Sequence, residues 1–456
     1  MINRRRFLQC IAMAAASPPV ARAADAREIG IGPLRPDPGE LLDLPDGFSY
    51  RVVSKSGDTM DDGFKVPPAH DGMAAFPGHD GRVILVCNHE MPPAFPEYSA
   101  FGTGFDALPD NIKERVYDHG SGTSPGVGGT TTTVYNPRTG HTERQHLSLA
   151  GTELNCAGGP TPWGSWLSCE ECFESPGTDF SRGRLITRDE KHGYVFEVPA
   201  GETGLAEPIP IKAMGRFEHE ACAVHEPSGI VYMTEDRHNS LFYRYVPEVP
   251  GRLQEGGRLQ ALAIAGRPSQ KLHNWTGDRA IDIGESLPTR WIDLEDVDPA
   301  ENDLRLRGAA AGAAIFARGE GLCVAGDAFA FTCTIGGRLR LGQVFMYQPS
   351  PLEGHDGEKE RPGQLTLLAE AGDESLLRNA DNLTMSPWGD LVVCEDTSGH
   401  CGLVGIQPDG SLYQLADNVY SNSELAGVCF APDGKTLFVN IQYPGTTLAI
   451  TGPWPP

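Results

Sequence analysis

Along this chain, short apolar runs alternate with turn glycines in a unit that recurs six times. Each unit is a polar residue, an apolar run, a turn glycine, and a second apolar run that ends on another polar residue. The clearest copies read ELAGVCFAPDGKTLFVNI, DNLTMSPWGDLVVCED, HEACAVHEPSGIVYMTED and CAGGPTPWGSWLSCEE. HDGMAAFPGHDGRVILVCNHE is a fifth copy and GEGLCVAGDAFAFTCT a degenerate sixth. Two strand-length runs around a glycine predict a β-hairpin. Runs such as Val83-Ile84-Leu85-Val86 and Leu391-Val392-Val393 are apolar at successive positions, so both faces of each sheet should be buried. Hairpins repeated without a helical period between them predict an all-β chain, a six-bladed β-propeller. The first polar positions fall at Asp71, Cys156, Glu220, Glu320, Asn382 and Glu424. The shortest interval suits a four-stranded blade of about 40–50 residues. The longer ones imply loop and short-helix insertions around residues 90–150, 170–210 and 250–315, with Asp106–Val116 a helical candidate.

The polar positions of the second strands keep register. Glu170, Glu235, Glu395, Asn440 and Thr332 each stand six residues after a turn glycine, and Asn88 stands seven after Gly81. In an antiparallel hairpin the start of the first strand lies beside the end of the second. Cys156 is therefore expected beside Glu170, Glu220 beside Glu235, and Asn382 beside Glu395. A generic sandwich gives no reason for this register, whereas a propeller delivers all these residues to one axial mouth.

Composition narrows the chemistry. The 456 residues suit one propeller domain, and 55 Gly with 37 Pro suit a turn-rich β protein. The formal charge of −24 repels nucleic acid and anionic lipid, which excludes a phosphate-backbone partner. The N-terminus has a basic start with Arg4-Arg5-Arg6 before Phe7-Leu8, then an alanine-rich apolar stretch, then Ala21-Arg22-Ala23. This is the layout of a twin-arginine (Tat) signal peptide over residues 1–23, followed by a single domain over 24–456. The apolar stretch is shorter than the roughly 20 residues that span a bilayer, so no stable membrane insertion is expected. Engagement of the Tat export machinery implies a periplasmic or secreted protein, exported already folded. Removing the leader deletes four arginines and no acid, deepening the charge to −28.

Ten cysteines remain beyond the leader. Cys87, Cys169, Cys333, Cys394 and Cys429 lie inside apolar strands, where cysteine behaves as a small hydrophobe. Extensive disulfide pairing is therefore not expected. Cys169-Glu170-Glu171-Cys172 has CxxC spacing, yet no second pair completes a zinc site. Cys156 differs, because it heads a strand where other copies carry Glu or Asn. A thiolate there suits a transition metal.

No G-x-S-x-G elbow and no Walker A loop is present. What remains is a ring of oxygen donors with one thiol. The candidate metal ligands are Cys156, Glu90, Glu171, Glu220, Glu235, Glu320, Asn382, Glu395 and Glu424. Carboxylates and amides suit Ca²⁺, which takes about six to eight oxygens. So many acids at one mouth would repel one another without a cation. Arg318-Gly319-Glu320-Gly321 sets an arginine two residues before a ligand position, and Arg237 follows Glu235-Asp236. Either guanidinium offers a bidentate fork for phosphate or carboxylate.

From about residue 40 to the C-terminus the chain resembles the PhoX-type alkaline phosphatases. The resemblance rests on NHE (88–90), GGTTTTVYNPRTG (128–140), NCAGGPTPWGSWLSCEE, RFEHEA (216–221), FARGEG (316–321), ADNLTMSPWGDLVVCED and SELAGVCFAPDGKTLFVNIQYPG. It implies a phosphomonoesterase acting on a small phosphate ester through an iron–calcium cluster (Fe³⁺ and Ca²⁺), with a cysteine thiolate among the iron ligands. Cys156 matches that cysteine. Glu320 and Arg318 match the metal-binding and substrate-binding residues of the R-G-E segment, and Glu220 and Glu171 match further acidic ligands. Two alternatives use similar acids: a calcium-dependent propeller lactonase or esterase, and a non-catalytic periplasmic propeller stabilised by calcium. Neither needs a thiolate ligand or a phosphate-clamping arginine.

Overall fold

A computed structural model of the chain describes residues 31–105, 108–275 and 279–455. The leader and the single-domain boundary drawn at residue 24 lie outside the described residues. The architecture is all-β and propeller-like. The sequence repeats appear as hairpins whose first strands are His70–Pro77, Asn155–Pro160, His219–His225, Gly319–Ala325, Ala380–Met385 and Leu425–Phe430. Each pairs antiparallel with the strand after its turn glycine. The first strands pack side by side in chain order, and Leu425–Phe430 returns against His70–Pro77.

Further strands widen each hairpin outward. His70–Pro77 and Val83–His89 are extended by Gly128–Asn136 and His141–Thr152. Ser286–Asp293 joins two sheets by pairing with both Gly257–Ile264 and Gln364–Glu370. The sheet that starts at Leu425 is completed from the other end of the chain, because Ser49–Lys55 pairs with Thr446–Thr451.

Successive residues of one strand serve two different cores, as the unbroken apolar runs predict. Leu391 and Val393 pack with Ala330, Val344 and Val404, whereas Val392 and Cys394 pack with Leu437, Val439 and Leu448. Burying a side chain of this size stabilises by about 1.5–3 kcal/mol. The insertions carry little helix. The helix expected from Asp106 begins instead at Asp110 and spans Asp110–Lys113; the only other α-helix among the described residues is Leu304–Ala310. All ten cysteines among the described residues are free thiols.

Candidate metal centre

Every first strand carries a β-bulge at the same place. Register shifts between His70 and Met73, Asn155 and Gly158, His219 and Cys222, Gly319 and Leu322, Ala380 and Leu383, and Ala426 and Cys429. A bulge inserts residues that the partner strand does not match. The inserted positions include Asp71, Cys156, Glu220, Glu320 and Asp381. Small residues accompany them because neighbouring strands come close: a Cβ on Gly72 would lie 2.5 Å from the Cα of Ala157.

The bulges correct the expected pairings by a residue or more. Asn155, not Cys156, pairs with Glu170; His219, not Glu220, pairs with Glu235; Ala380, not Asn382, pairs with Glu395. A slip of one residue exchanges the faces of a strand. The acids facing the mouth from the second strands are thus one step further on: Glu90, Glu171, Asp236 and Asp396. The polar residues Asn88, Thr332 and Asn440, which look like members of the ring in sequence, are pegs between hairpins. Asn88 donates to the carbonyls of Cys156 and Ala157 (3.0 and 2.7 Å), Thr332 to that of Asp381 (2.8 Å), and Asn440 to that of Asp71 (2.6 Å). They satisfy carbonyls that the bulges leave outside the ladder.

Three of the four groups of ligand atoms whose members lie within 4.8 Å of one another result at the mouth: Cys156, Glu171 and Glu220; Glu220, Glu320 and Asp381; Asp71, Glu90 and Glu424. Glu220 belongs to two of them and joins them. The bulge residues form a buried floor, with Asp71, Cys156, Glu220, Glu320 and Asp381 all under a tenth exposed. Glu90, Glu171 and Glu424 form a half-buried rim. Burial first, and neighbouring carboxylates second, push Asp71, Glu171, Glu220 and Glu424 well above the usual carboxylate range. Glu320 rises for the same two reasons, partly opposed by Arg318. Burial lifts Glu90 to about 7 and Asp381 to about 8, with Asp396 adding repulsion in both cases. Burial and then Glu220 raise the Cys156 thiol.

One arginine faces this ring closely. Arg318 Nε and Nη2 each lie 2.7 Å from a different carboxylate oxygen of Asp236, and Nη2 lies 2.8 Å from Glu320 Oε1. Its backbone is left-handed at φ 55°. It is fixed from both sides, since Arg318 N donates to the carbonyl of Arg237 and Thr334 N donates to that of Arg318, both at 2.9 Å. Among the described residues Nη1 has no partner, so one edge of the guanidinium is left for a ligand.

The structure brings Cys156, Glu90, Glu171, Glu220, Glu320 and Glu424 together, with Arg318 beside them. It leaves four other candidates elsewhere. Glu235 accepts from Leu241 N (3.1 Å) and the Tyr243 hydroxyl (2.9 Å) inside the wall. Glu395 is held by Arg378 and by Gly402 N. Asn382 braces the ring from behind, donating to Asp381 Oδ1 (3.1 Å) and accepting from Gly427 N (2.7 Å). Arg237 is paired with Glu218 and half-exposed. Asp236, Asp381 and Asp396 were missed, although each adjoins a candidate that sequence did select.

A second buried cluster lies one residue from the first. Glu170 accepts from His192 Nδ1 (2.6 Å), and His192 Nε2 lies 3.0 Å from Asp118 Oδ2. Arg188 Nε donates to Glu153 Oε1 at 2.8 Å. Burial opposes the charge on His192, yet Glu170 and Asp118 together raise it to about 10. Glu170, Cys172 and His192 also bring ligand atoms within 4.8 Å of one another, but here the acids are paired with His192 and Arg188.

At the mouth Arg318 pairs with Asp236 and Glu320, and the other ligand acids have no cation at ion-pair distance among the described residues; the donors, seven carboxylates in three groups and one thiol, fit metal ions. Oxygen-only groups suit hard cations, and the thiol group suits a softer one. No helix among the described residues is long and apolar enough to cross a membrane.

A family model described as alkaline phosphatase PhoX matches residues 29–445. Among solved structures, Pseudomonas fluorescens PhoX in complex with vanadate, a transition-state analogue, aligns at 18% identity over 91% of this chain and 96% of that one, with a TM-score of 0.63. A gluconolactonase of Xanthomonas campestris aligns at 11% identity over 93% of this chain and 98% of that one, with a TM-score of 0.37. No curated protein sequence matches.

Proposed function

We propose that this chain, which belongs to the alkaline phosphatase PhoX family and is a phosphoric monoester hydrolase, cleaves small phosphate esters at the axial mouth with calcium and iron held there. The observation that supports this best is the meeting of a thiol, a set of uncompensated carboxylates and a partly free arginine in one ring. Cys156, Glu171 and Glu220 would hold iron. Glu220, Glu320 and Asp381, with Asp71, Glu90 and Glu424, would hold calcium. Bound there, the metals would supply Lewis acidity and neutralise charge on the phosphoryl oxygens.

The chain's own residues orient the ester. Asp236 fixes the plane of the Arg318 guanidinium, so Nη1 faces an equatorial phosphoryl oxygen without first losing rotational freedom. Charge that develops on that oxygen is then met by a cation already in place. Glu320 keeps the guanidinium beside the metal ligands, and Asn382 holds Asp381 in register. The half-buried rim limits water around the bound phosphate.

The ring of packed first strands supports a six-bladed propeller formed as one domain over residues 24–456. The twin-arginine motif supports export by the Tat machinery to the periplasm or beyond, after metals have been loaded into the folded protein.

The test is hydrolysis of p-nitrophenyl phosphate with added Ca²⁺, paired with metal analysis of protein exported through its own signal. Iron together with calcium is expected, and Cys156→Ala should lose both iron and turnover. Calcium alone in an active wild type, or normal turnover by Cys156→Ala, would overturn this metal assignment.

A further inference from the structure

Two of the free thiols touch. Cys169 Sγ and Cys222 Sγ lie 3.4 Å apart, and both residues are fully buried. They belong to different hairpins. Cys169 stands on the second strand Ser165–Glu170 and pairs there with Val195. Cys222 stands on the first strand His219–His225 and pairs with Met233. Their contact therefore crosses from one sheet to its neighbour, inside a core shared with Leu167, Val195, Val231 and Met233. The sheets press together at this point, since a Cβ on Gly159 would lie 1.9 Å from the Cys222 carbonyl oxygen.

The pair sits directly beneath one of the ligand groups of the mouth. Glu171 follows Cys169 by two residues, and Glu220 precedes Cys222 by two. The Cys156 thiol of that group is directed at carbonyl oxygens, those of His219 at 3.2 Å and Cys169 at 3.9 Å, and not at a second sulfur. Cys169 and Cys222 alone face each other as sulfur to sulfur there. A disulfide holds its sulfurs about 2.05 Å apart, so closure asks the two for an approach of roughly 1.3 Å.

We infer that Cys169 and Cys222 are a modification site, at which hydrogen peroxide closes a disulfide that staples neighbouring hairpins beneath Cys156, Glu171 and Glu220. The staple does not depend on which reaction the mouth catalyses. Peroxide is uncharged and close to water in size, which suits a site that bulkier oxidants cannot enter. The first sulfur attacks the peroxide: an S–O bond forms, the O–O bond breaks, and one water leaves behind a sulfenic acid. The second sulfur then attacks the sulfenic sulfur. The S–S bond forms, the S–O bond breaks, and the hydroxyl departs as a second water with the remaining thiol proton. Two thiols are oxidised and one peroxide is reduced to two waters. Burial, and then the contact with Cys222, keep the Cys169 thiol protonated, so the reaction is slow. The cross-link joins residues 53 apart in sequence and restricts the unfolded chain accordingly.

The test incubates the metal-loaded protein with hydrogen peroxide, unfolds it in iodoacetamide and maps the cysteine peptides by mass spectrometry. Eight of the ten described thiols should be alkylated, with Cys169 and Cys222 recovered as one linked peptide. The melting temperature should rise by about 5 °C, and dithiothreitol should return both readings to their starting values. Cys222→Ala should yield no linked peptide and no rise, and the wild-type map stands without it if that variant folds poorly. Ten alkylated thiols after peroxide, or a linkage that contains Cys156, would overturn the site. A Cys169–Cys222 link that leaves the melting temperature unchanged would overturn the staple.

Discussion

Glu170 and Glu171 are neighbours in the chain, yet they belong to two buried clusters with opposite electrostatics. Glu170 sits among Asp118, Glu153, His192 and Arg188, where cations and acids are paired at hydrogen-bond distance. Glu171 sits among Cys156, Glu220, Asp236 and Glu320, where acids repel one another and Arg318 is the one close cation. The pleat of the strand separates them, sending adjacent side chains to opposite faces. Burial of carboxylates is common to both, so burial alone does not mark a metal site. The distinguishing sign is charge that the chain leaves uncompensated.

Substitutions separate the two clusters most sharply. Glu220 belongs to two ligand groups, so Glu220→Gln should lower kcat/KM about 100-fold or more, since even residues that merely orient metal ligands are worth 10–100-fold. Steady-state kinetics with metal analysis would read it, and intact activity would place the metals elsewhere. Glu170→Gln should act on stability instead. Breaking a buried ion pair costs about 3–5 kcal/mol, visible as a lower melting temperature with the metal content per folded molecule unchanged. If Glu170→Gln lost metal without losing stability, the division between the clusters would be wrong.

A pH series offers the subtlest separation. The folded protein holds His192 at about 10, above its ordinary 6.5, so its contribution is complete below 6.5 and is lost as pH climbs through 10. The metal-free mouth has its own window, because carboxyls raised to about 7 at Glu90 and about 8 at Asp381 favour the folded state only while protonated. Chelated protein should therefore lose melting temperature as pH rises from the ordinary carboxylate range through 8, and added Ca²⁺ should restore it. The fall toward pH 10 should persist with or without Ca²⁺. Melting curves across this range would show both, and a single Ca²⁺-sensitive transition would merge the two clusters.

Much of this organisation is legible in sequence. The hairpin repeat, the double-faced burial of runs such as Leu391-Val392-Val393, and a ring of polar residues at one mouth all follow from periodicity. Cys156, Glu220 and Glu320 are found directly, because each stands at a bulge where the first strand begins. The expected partners of Glu235 and Glu395 are misplaced for one reason: a bulge adds a residue to the first strand without altering the apolar pattern, so His219 and Ala380, rather than Glu220 and Asn382, lie beside them. The glycines after Asp71 and Glu320 are a visible trace of those bulges, since a Cβ there would lie 2.5 Å from the Cα of Ala157 and 2.7 Å from the Cα of Asn382. The counter-charge of Glu170 is not legible at all, because His192 and the Asp118 that holds its other ring nitrogen come from separate insertions and meet only in the fold.

The pairing of Ser49–Lys55 with Thr446–Thr451 sets an order of events during biosynthesis. Until the ribosome has delivered residue 451, the last sheet lacks a strand and the circle of first strands is open between Leu425–Phe430 and His70–Pro77. Asp71 and Glu90 then have no Glu424 opposite them, so that ligand group does not exist on a nascent or truncated chain. A cation bound by Asp71, Glu90 and Glu424 would thereby be captured late, only by molecules in which Ser49–Lys55 and Thr446–Thr451 have met.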